Sequence, residues 1–269
     1  MAQIDREFTG SIPALYDRYL GPLIFEDYAV DLVARLAAGA PGRVLEIAAG
    51  TGIATRAMGR MLPPAAEIIA TDLNQPMLDF AAAQPGAKRA VWRQADAQAL
   101  PFPDASFDAI VCQFGVMFFP DKTAAYREAR RVLKPGGRFL FSVWDSLAEN
   151  EVSAIVSDTV AALFPADPPQ FLARTPYTYN DVASIERELR AAGFTNVMVE
   201  PLAMRSRASS ARDPALGFCH GSPLRSEIEA RDPSRLAEAT DAAEAAVAAR
   251  FGTGPIDGKI RAYVFTAFG

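Results

Sequence analysis

Between Pro41 and Trp144, five short apolar runs alternate with stretches whose apolar residues fall at helical spacing. The runs are RVLEI, EIIAT, AVWRQ, FDAIVCQ and RFLFSVW. They are rich in Val, Ile and Phe and bounded by Gly, Pro or Asp, so they read as strands. Strands that alternate with helices are joined by right-handed βαβ crossovers, which gives a mostly parallel sheet covered on both faces. An α/β fold follows.

The flanks are helical in character. Ile24, Tyr28, Leu32 and Leu36 recur at helical spacing until Pro41-Gly42 stops them. Asp121 is placed to cap a helix whose inner face carries Ala125, Tyr126, Ala129, Val132 and Leu133, and which ends at Lys134-Pro135-Gly136-Gly137. Beyond Trp144 the spacing predicts a helix over Glu151–Leu163 and an irregular excursion at Pro165–Gln170. Asn180 then caps a helix bearing Val182, Ile185 and Leu189, closed by Gly193, with a strand over Thr195–Leu202. Arg212–Arg250 is helical, with breaks at Gly221–Pro223 and Asp232-Pro233, and KIRAYVFTAF is a terminal strand. The organisation expected is a single domain over 1–269. It has a helical cap at 1–40, a core at 41–145, and a C-terminal part at 146–269 with a helical insertion around 205–252.

Composition narrows the function. Half of the 269 residues are hydrophobic, enough for a sizeable buried core. A net charge of −5 argues against a general affinity for nucleic acid or anionic membranes. Cys112 and Cys219 are the only cysteines, too few for a disulfide framework or a Cys₄ zinc site, and no metal is expected. The N-terminus lacks a secretory pattern, and no apolar run approaches the roughly 18 residues of a membrane span. A cytoplasmic protein is the expectation.

VLEIAAGTGIATR carries the most chemistry. A buried strand, Val44–Ile47, enters the tight turn Gly50-Thr51-Gly52, where absent Cβ atoms let backbone N–H groups and a ligand approach closely. Such a loop alone also suits nicotinamide dehydrogenases or plain strand–helix punctuation. Its companions are acidic. Glu46 sits inside the strand, where a buried carboxylate needs a partner such as loop N–H groups or a cationic ligand end. Asp72 ends EIIATD, where a carboxylate can accept both hydroxyls of a ribose. Asp96, beside Ala97, follows the next strand and can accept from an adenine amino group. Asp108 opens the fourth strand and reads as structural.

VLEIAAGTG, ATDLNQPML, ADAQALPFPDASFDAIVCQ and REARRVLKPGGRFLFSVW together resemble the class I S-adenosylmethionine-dependent methyltransferases, nearest the type 11 and ubiquinone-biosynthesis-like branch. The resemblance is strong over about residues 40–145 and implies a Rossmann-like seven-stranded sheet with an antiparallel last strand and a helical lid. It implies S-adenosylmethionine as cofactor, with S-adenosylhomocysteine as product. Glu46 would orient the loop and the methionine ammonium, Gly50 and Gly52 would allow close backbone approach, and Asp72 would hold the ribose. Leu73 and Met77 would line the adenine, Asp96 and Ala97 would touch its edge, and Gln113 would face the methyl group. The family's first loop glycine is Ala48 here, which puts the conformation of the loop in question. A dehydrogenase has no use for Glu46 or for the LKPGG block.

A small-molecule acceptor is the expectation. The crevice of an open α/β sheet lies beyond the carboxyl ends of its strands, where QFGVMFF places Gln113, Phe114 and Phe118. These aromatics suggest an apolar or aromatic acceptor. His220, the single histidine, is the candidate base for an acceptor that must lose a proton. In the resembling family the N-terminal helix often folds over the cofactor, which makes Tyr16 or Tyr19 candidates to close the pocket. QFGVMF replaces the Asn-Pro-Pro-Tyr type motif of nucleic-acid amino methylases. A binding module without catalysis is the alternative from another class. Oligomeric state is not legible.

Overall fold

The structure, a computed structural model, describes residues 10–269. Seven strands form one sheet: β1 (Arg43–Ile47), β2 (Glu67–Asp72), β3 (Ala90–Gln94), β4 (Phe107–Gln113), β5 (Leu133–Trp144), β6 (Asn196–Ala208) and β7 (Ile256–Phe268). Their order across the sheet is β3-β2-β1-β4-β5-β7-β6. The pairs β1/β2, β2/β3, β1/β4 and β4/β5 are parallel. The last strand runs the other way. Gly269 N–H donates to Gly137 O and Asp145 N–H to Arg261 O, so as β5 advances its partners on β7 fall back. The strand order puts β1 beside β4 near the centre, where the order turns and a ligand crevice forms in such sheets.

Two compact units make up the chain. One comprises Tyr28–Val143, Tyr179–Leu202 and Ala262–Gly269. It contains β1 to β4, most of β5, and α3 (Ile53–Met61), α4 (Gln75–Ala82), α5 (Lys122–Val132) and α8 (Val182–Ala191). Its strands are apolar on both faces because both are covered: Val44, Leu45, Ile110, Val111 and Leu140 are fully buried. Phe141 stacks on Phe265 at 4.8 Å and lies 4.9 Å from Phe139, so β5 and β7 share an aromatic seam. The predicted inner face of α5, Ala125, Tyr126, Ala129 and Val132, is buried, and Asp121 caps the helix by accepting from Ala124 N–H at 2.9 Å.

The other unit holds residues 10–27 with Trp144–Thr178 and Ala203–Arg261. It is helical: α1 (Ile12–Leu15), α6 (Glu151–Leu163), α7 (Phe171–Arg174), α9 (Arg212–His220), α10 (Leu224–Arg231) and α11 (Leu236–Phe251). The turn of helix Tyr16–Phe25 is widened around Gly21-Pro22, and the Glu26 amide reaches back five residues to Gly21 O. Pro22 has no N–H to give, which favours this wider bonding. Helix α2 (Glu26–Ala37) follows directly and buries Tyr28, Leu32 and Leu36.

Three boundaries differ from the sequence reading. β5 begins at Leu133 rather than after the glycines. Phe107 pairs with Leu133 and Ala109 with Arg138, so Lys134–Gly137 bulges out of the strand, with Gly136 at φ +76°. The cap of α8 is Asp181, one residue beyond Asn180, and it accepts from Ala183 N–H at 3.2 Å. Periodicity fixes the face of a helix better than its first residue. β6 runs on to Ala208, so the stretch around 205–252 turns helical only at Arg212.

Candidate functional site

The end of β1 is held from two sides. Thr71 Oγ1 donates to Glu46 O at 2.8 Å and Ala49 N–H donates to Thr71 O at 2.9 Å, fastening the start of the glycine loop to β2. The chain then turns through left-handed conformations at Ala48 (φ +56°), Gly50 (φ +55°) and Gly52 (φ +81°). Glycine takes these values without cost and alanine does not. A Cβ on Gly52 would stand 2.7 Å from the Trp92 ring, so this position is closed to any side chain by space as well as by conformation. A Cβ on Gly50 would meet nothing within 4 Å, which leaves the middle of the loop open to a ligand.

Ala48 departs from glycine and is nevertheless accommodated. A Cβ at Gly115 would lie 2.5 Å from the Ala48 methyl, so the methyl occupies the space left by a glycine after β4. The loop keeps its turn, and the backbone at Ala48 carries the strain.

Asp72 ends β2 and fastens the loop. Its Oδ2 accepts from Gly50 N–H at 2.8 Å and its Oδ1 from Asn74 N–H at 2.8 Å. The Asn74 side-chain amide also reaches Oδ1, at 3.4 Å. An ionised carboxylate offers about four lone-pair sites, so Oδ2 can take one further donor, and Oδ1 can take one in place of that long bond. Burial pushes its pKa up, while the Asn74 and Gly50 amides pull it down. Glu46 is 1% exposed. Its Oε2 accepts from the Thr55 hydroxyl on α3. Burial pushes its pKa up to about 8; the Thr55 bond lowers it, the nearby Asp72 charge raises it, and the Arg56 charge lowers it least. Thr55 was not foreseen from the sequence, because its role depends on the turn that brings α3 back over β1.

The remaining predicted residues divide. Leu73, just past β2, is 45% exposed, whereas Met77 on α4 is 3% exposed and belongs to the core. Asp96 is exposed and closes its own turn, accepting from Gln98 N–H at 2.9 Å, with Ala97 buried beside it. Gln113 ends β4 opposite Ser142 of β5, half-buried. Phe114 sits at φ +53°, a conformation rare for a bulky residue, and packs edge-on against Tyr28 at 5.3 Å. It is buried, while Phe118 in the following short turn is half-exposed. Ser142 is 0% exposed, and its hydroxyl has no hydrogen-bond partner among the described residues. Asp108 is structural as expected: it accepts from Arg43 N–H and Lys134 Nζ, both at 2.7 Å, and Lys134 holds its carboxyl below the usual range.

Tyr16, Tyr19 and His220 belong to the helical unit. Tyr16 stacks on Phe25 at 4.9 Å. Arg18 lies 5.1 Å over the Tyr19 ring. His220 Nε2 is 2.9 Å from Thr240 Oγ1, and that hydroxyl donates to Leu236 O at 2.7 Å. The hydroxyl's one proton is thus committed, so Nε2 carries the ring proton and donates. Burial first, then the Arg225 and Arg212 charges, lower the His220 pKa. Among the described residues no group of three His, Cys, Asp or Glu is placed to hold a metal, and no helix is long and apolar enough to cross a membrane.

Residues 45–141 match the methyltransferase domain family. A ubiquinone/menaquinone biosynthesis C-methyltransferase of Saccharophagus degradans is 34% identical over 56% of this chain and 66% of its own length. One from Ectopseudomonas mendocina is 36% identical over 58% of this chain and 67% of its own. The chain thus spans about two thirds of the length of the curated relatives it matches. In fold it is similar to phosphoethanolamine N-methyltransferase 2 of Haemonchus contortus in complex with S-adenosyl-L-methionine. The TM-score is 0.61 at 18% identity, covering 100% of this chain and 60% of that one.

Proposed function

Because the chain belongs to the class I S-adenosylmethionine-dependent methyltransferases, in their ubiquinone-biosynthesis-like branch, we propose that it moves a methyl group from S-adenosylmethionine to a small aromatic acceptor of the quinone-precursor type. The observation that carries this reading is Asp72, which holds the Gly50 amide at 2.8 Å, keeps an acceptor site on Oδ2, and can offer Oδ1 to a second hydroxyl in place of the long 3.4 Å bond from the Asn74 side chain. The donor set fits the cofactor: a diol-accepting carboxylate, an open glycine at position 50, and a second carboxylate at Glu46 suited to an ammonium.

S-Adenosylmethionine supplies a methyl carbon already made electrophilic by its sulfonium, so the protein's part is alignment and exclusion of water. Asp72 takes the ribose hydroxyls. Leu73 offers its exposed side chain to the adenine, with Met77 packed behind, and Asp96 with the Ala97 amide meets the adenine edge. Gln113 and the loop Ala48–Gly52 flank the methionyl end. Phe118 lines the acceptor side, with Phe114 as its fixed base. The relatives' names specify carbon methylation, and a ring carbon that gains a methyl must lose a proton. The hydrogen bond from His220 to Thr240 favours a packing role for that histidine over service as the base.

Calorimetry with S-adenosylmethionine and S-adenosylhomocysteine tests the donor site, and absence of binding by both overturns it. An acceptor screen with demethylated quinols, read as a mass gain of one methyl, separates an enzyme from a non-catalytic binding module.

A further inference from the structure

Two buried carboxylates share the glycine loop, and their hydrogen-bond donors are unequal. Asp72 receives two backbone N–H groups, from Gly50 and Asn74, each at 2.8 Å. Glu46 receives the Thr55 hydroxyl. Like charges in one site push one proton onto the pair, and it goes to the acid whose charge is less well solvated. Fixed amide dipoles can hold a charge on Asp72. A hydroxyl is also an acceptor, so it serves a protonated Glu46 as well as an ionised one.

The groups facing Glu46 from neighbouring elements agree. From β2 comes the Asp72 carboxylate, a like charge. From β4 comes Cys112, whose thiol burial pushes far up and so keeps neutral. From α3 come Thr55 and Arg56, whose guanidinium donates to Thr51 O at 2.6 Å. Among the influences on Glu46, the Arg56 charge is the smallest.

We propose that Glu46 carries a proton in the free protein and releases it to solvent when a cation enters the glycine loop, so that donor binding exchanges a proton for a positive charge. The inference rests on the methyl-donor reading above. The carboxylic O–H bond breaks, the proton passes to buffer, and the resulting carboxylate faces the cationic end of the ligand. Burial at Glu46 thereby gives the site a preference for a charged over a neutral ligand. Product departure is matched by proton return.

Two measurements test this. Binding enthalpy of S-adenosylmethionine at pH 7, taken in buffers of different ionisation enthalpy, should vary with the buffer and report release of about one proton. Affinity should rise by up to about tenfold per pH unit from 6 to 7 and flatten above 8. In Glu46→Gln both dependences should vanish. Buffer-independent enthalpy in the wild type, or an unchanged slope in the variant, overturns the proposal. Infrared spectroscopy of the ligand-free wild type needs neither ligand nor variant. A protonated carboxyl band at pH 7 that titrates away toward pH 9 is expected, and its absence at pH 7 overturns the inference by itself. The band with no heat from either ligand would instead overturn the methyl-donor reading and, with it, the exchange.

Discussion

The two units bury acidic side chains in opposite ways. In the helical unit Glu227, 6% exposed, accepts from the Gln170 and Phe171 amides and from Arg174 at 2.6 Å. Asp145, 8% exposed, has Arg261 at 3.1 Å and the Ser146 amide at 2.6 Å. In the sheet unit Glu46 and Asp72 are equally buried, and their donors are a hydroxyl and backbone amides. A buried carboxylate that meets an arginine and the first amides of a helix has its needs met within the fold. One held only by neutral groups costs stability and is suited to a partner from outside. Burial alone therefore does not mark a functional acid. The identity of its donors does.

The widest separation between these acids should appear in ligand binding. Asp72→Ala removes the acceptor proposed for two ribose hydroxyls, and charge-assisted bonds of this kind contribute about 1.5–3 kcal/mol each. Affinity for S-adenosylmethionine should fall on the order of a thousandfold by calorimetry. Glu227→Ala should act on stability instead. It leaves two amides and Arg174 without their acceptor, and should cost about 3 kcal/mol by denaturant titration while the folded protein keeps its donor affinity.

Glu46→Gln should stabilise, the reverse of Glu227→Ala, and in a defined pH window. The folded pKa of Glu46 lies near 8, above its value of about 4.5 in the unfolded chain. Its contribution is thus fully present below pH 4.5 and is lost as pH rises toward 8. The variant should match wild type near pH 4 and exceed it by about 4 kcal/mol at pH 8, read by chemical denaturation. Equal offsets at both pH values would count against a raised pKa.

Ala48→Gly tests the loop itself. Relief of the left-handed backbone is worth about 1–2 kcal/mol, offset by about 0.5–1 kcal/mol of extra freedom in the unfolded chain. A gain of about 0.5–1 kcal/mol should result. His220→Ala should change turnover on the true acceptor least, because its Nε2 proton is committed to Thr240. A large fall in turnover without loss of stability would restore it as the base.

The sheet unit was more legible in the sequence than the helical one, for a physical reason. Strand runs, the Gly50-Thr51-Gly52 turn and the acid closing β2 are local patterns, set by side-chain alternation and by which residues tolerate left-handed backbone. The antiparallel last strand came with the resemblance and stands. The helical segments were visible as segments. The tie from Glu227 to the start of α7 was not, since its partners lie more than fifty residues away in the chain.

What the sequence determined by itself was the α/β alternation, the glycine loop, and the positions of Glu46, Asp72 and Asp96 at strand ends. These follow from periodicity and backbone sterics, which act over a few residues. Tertiary structure alone decided the rest. It set the methyl of Ala48 against Gly115, placed the bulge at Lys134–Gly137, brought Thr55 to Glu46, and gave Asp72 the Gly50 amide. Charge state is decided by donors and dielectric gathered from distant parts of the chain, and no local pattern records them.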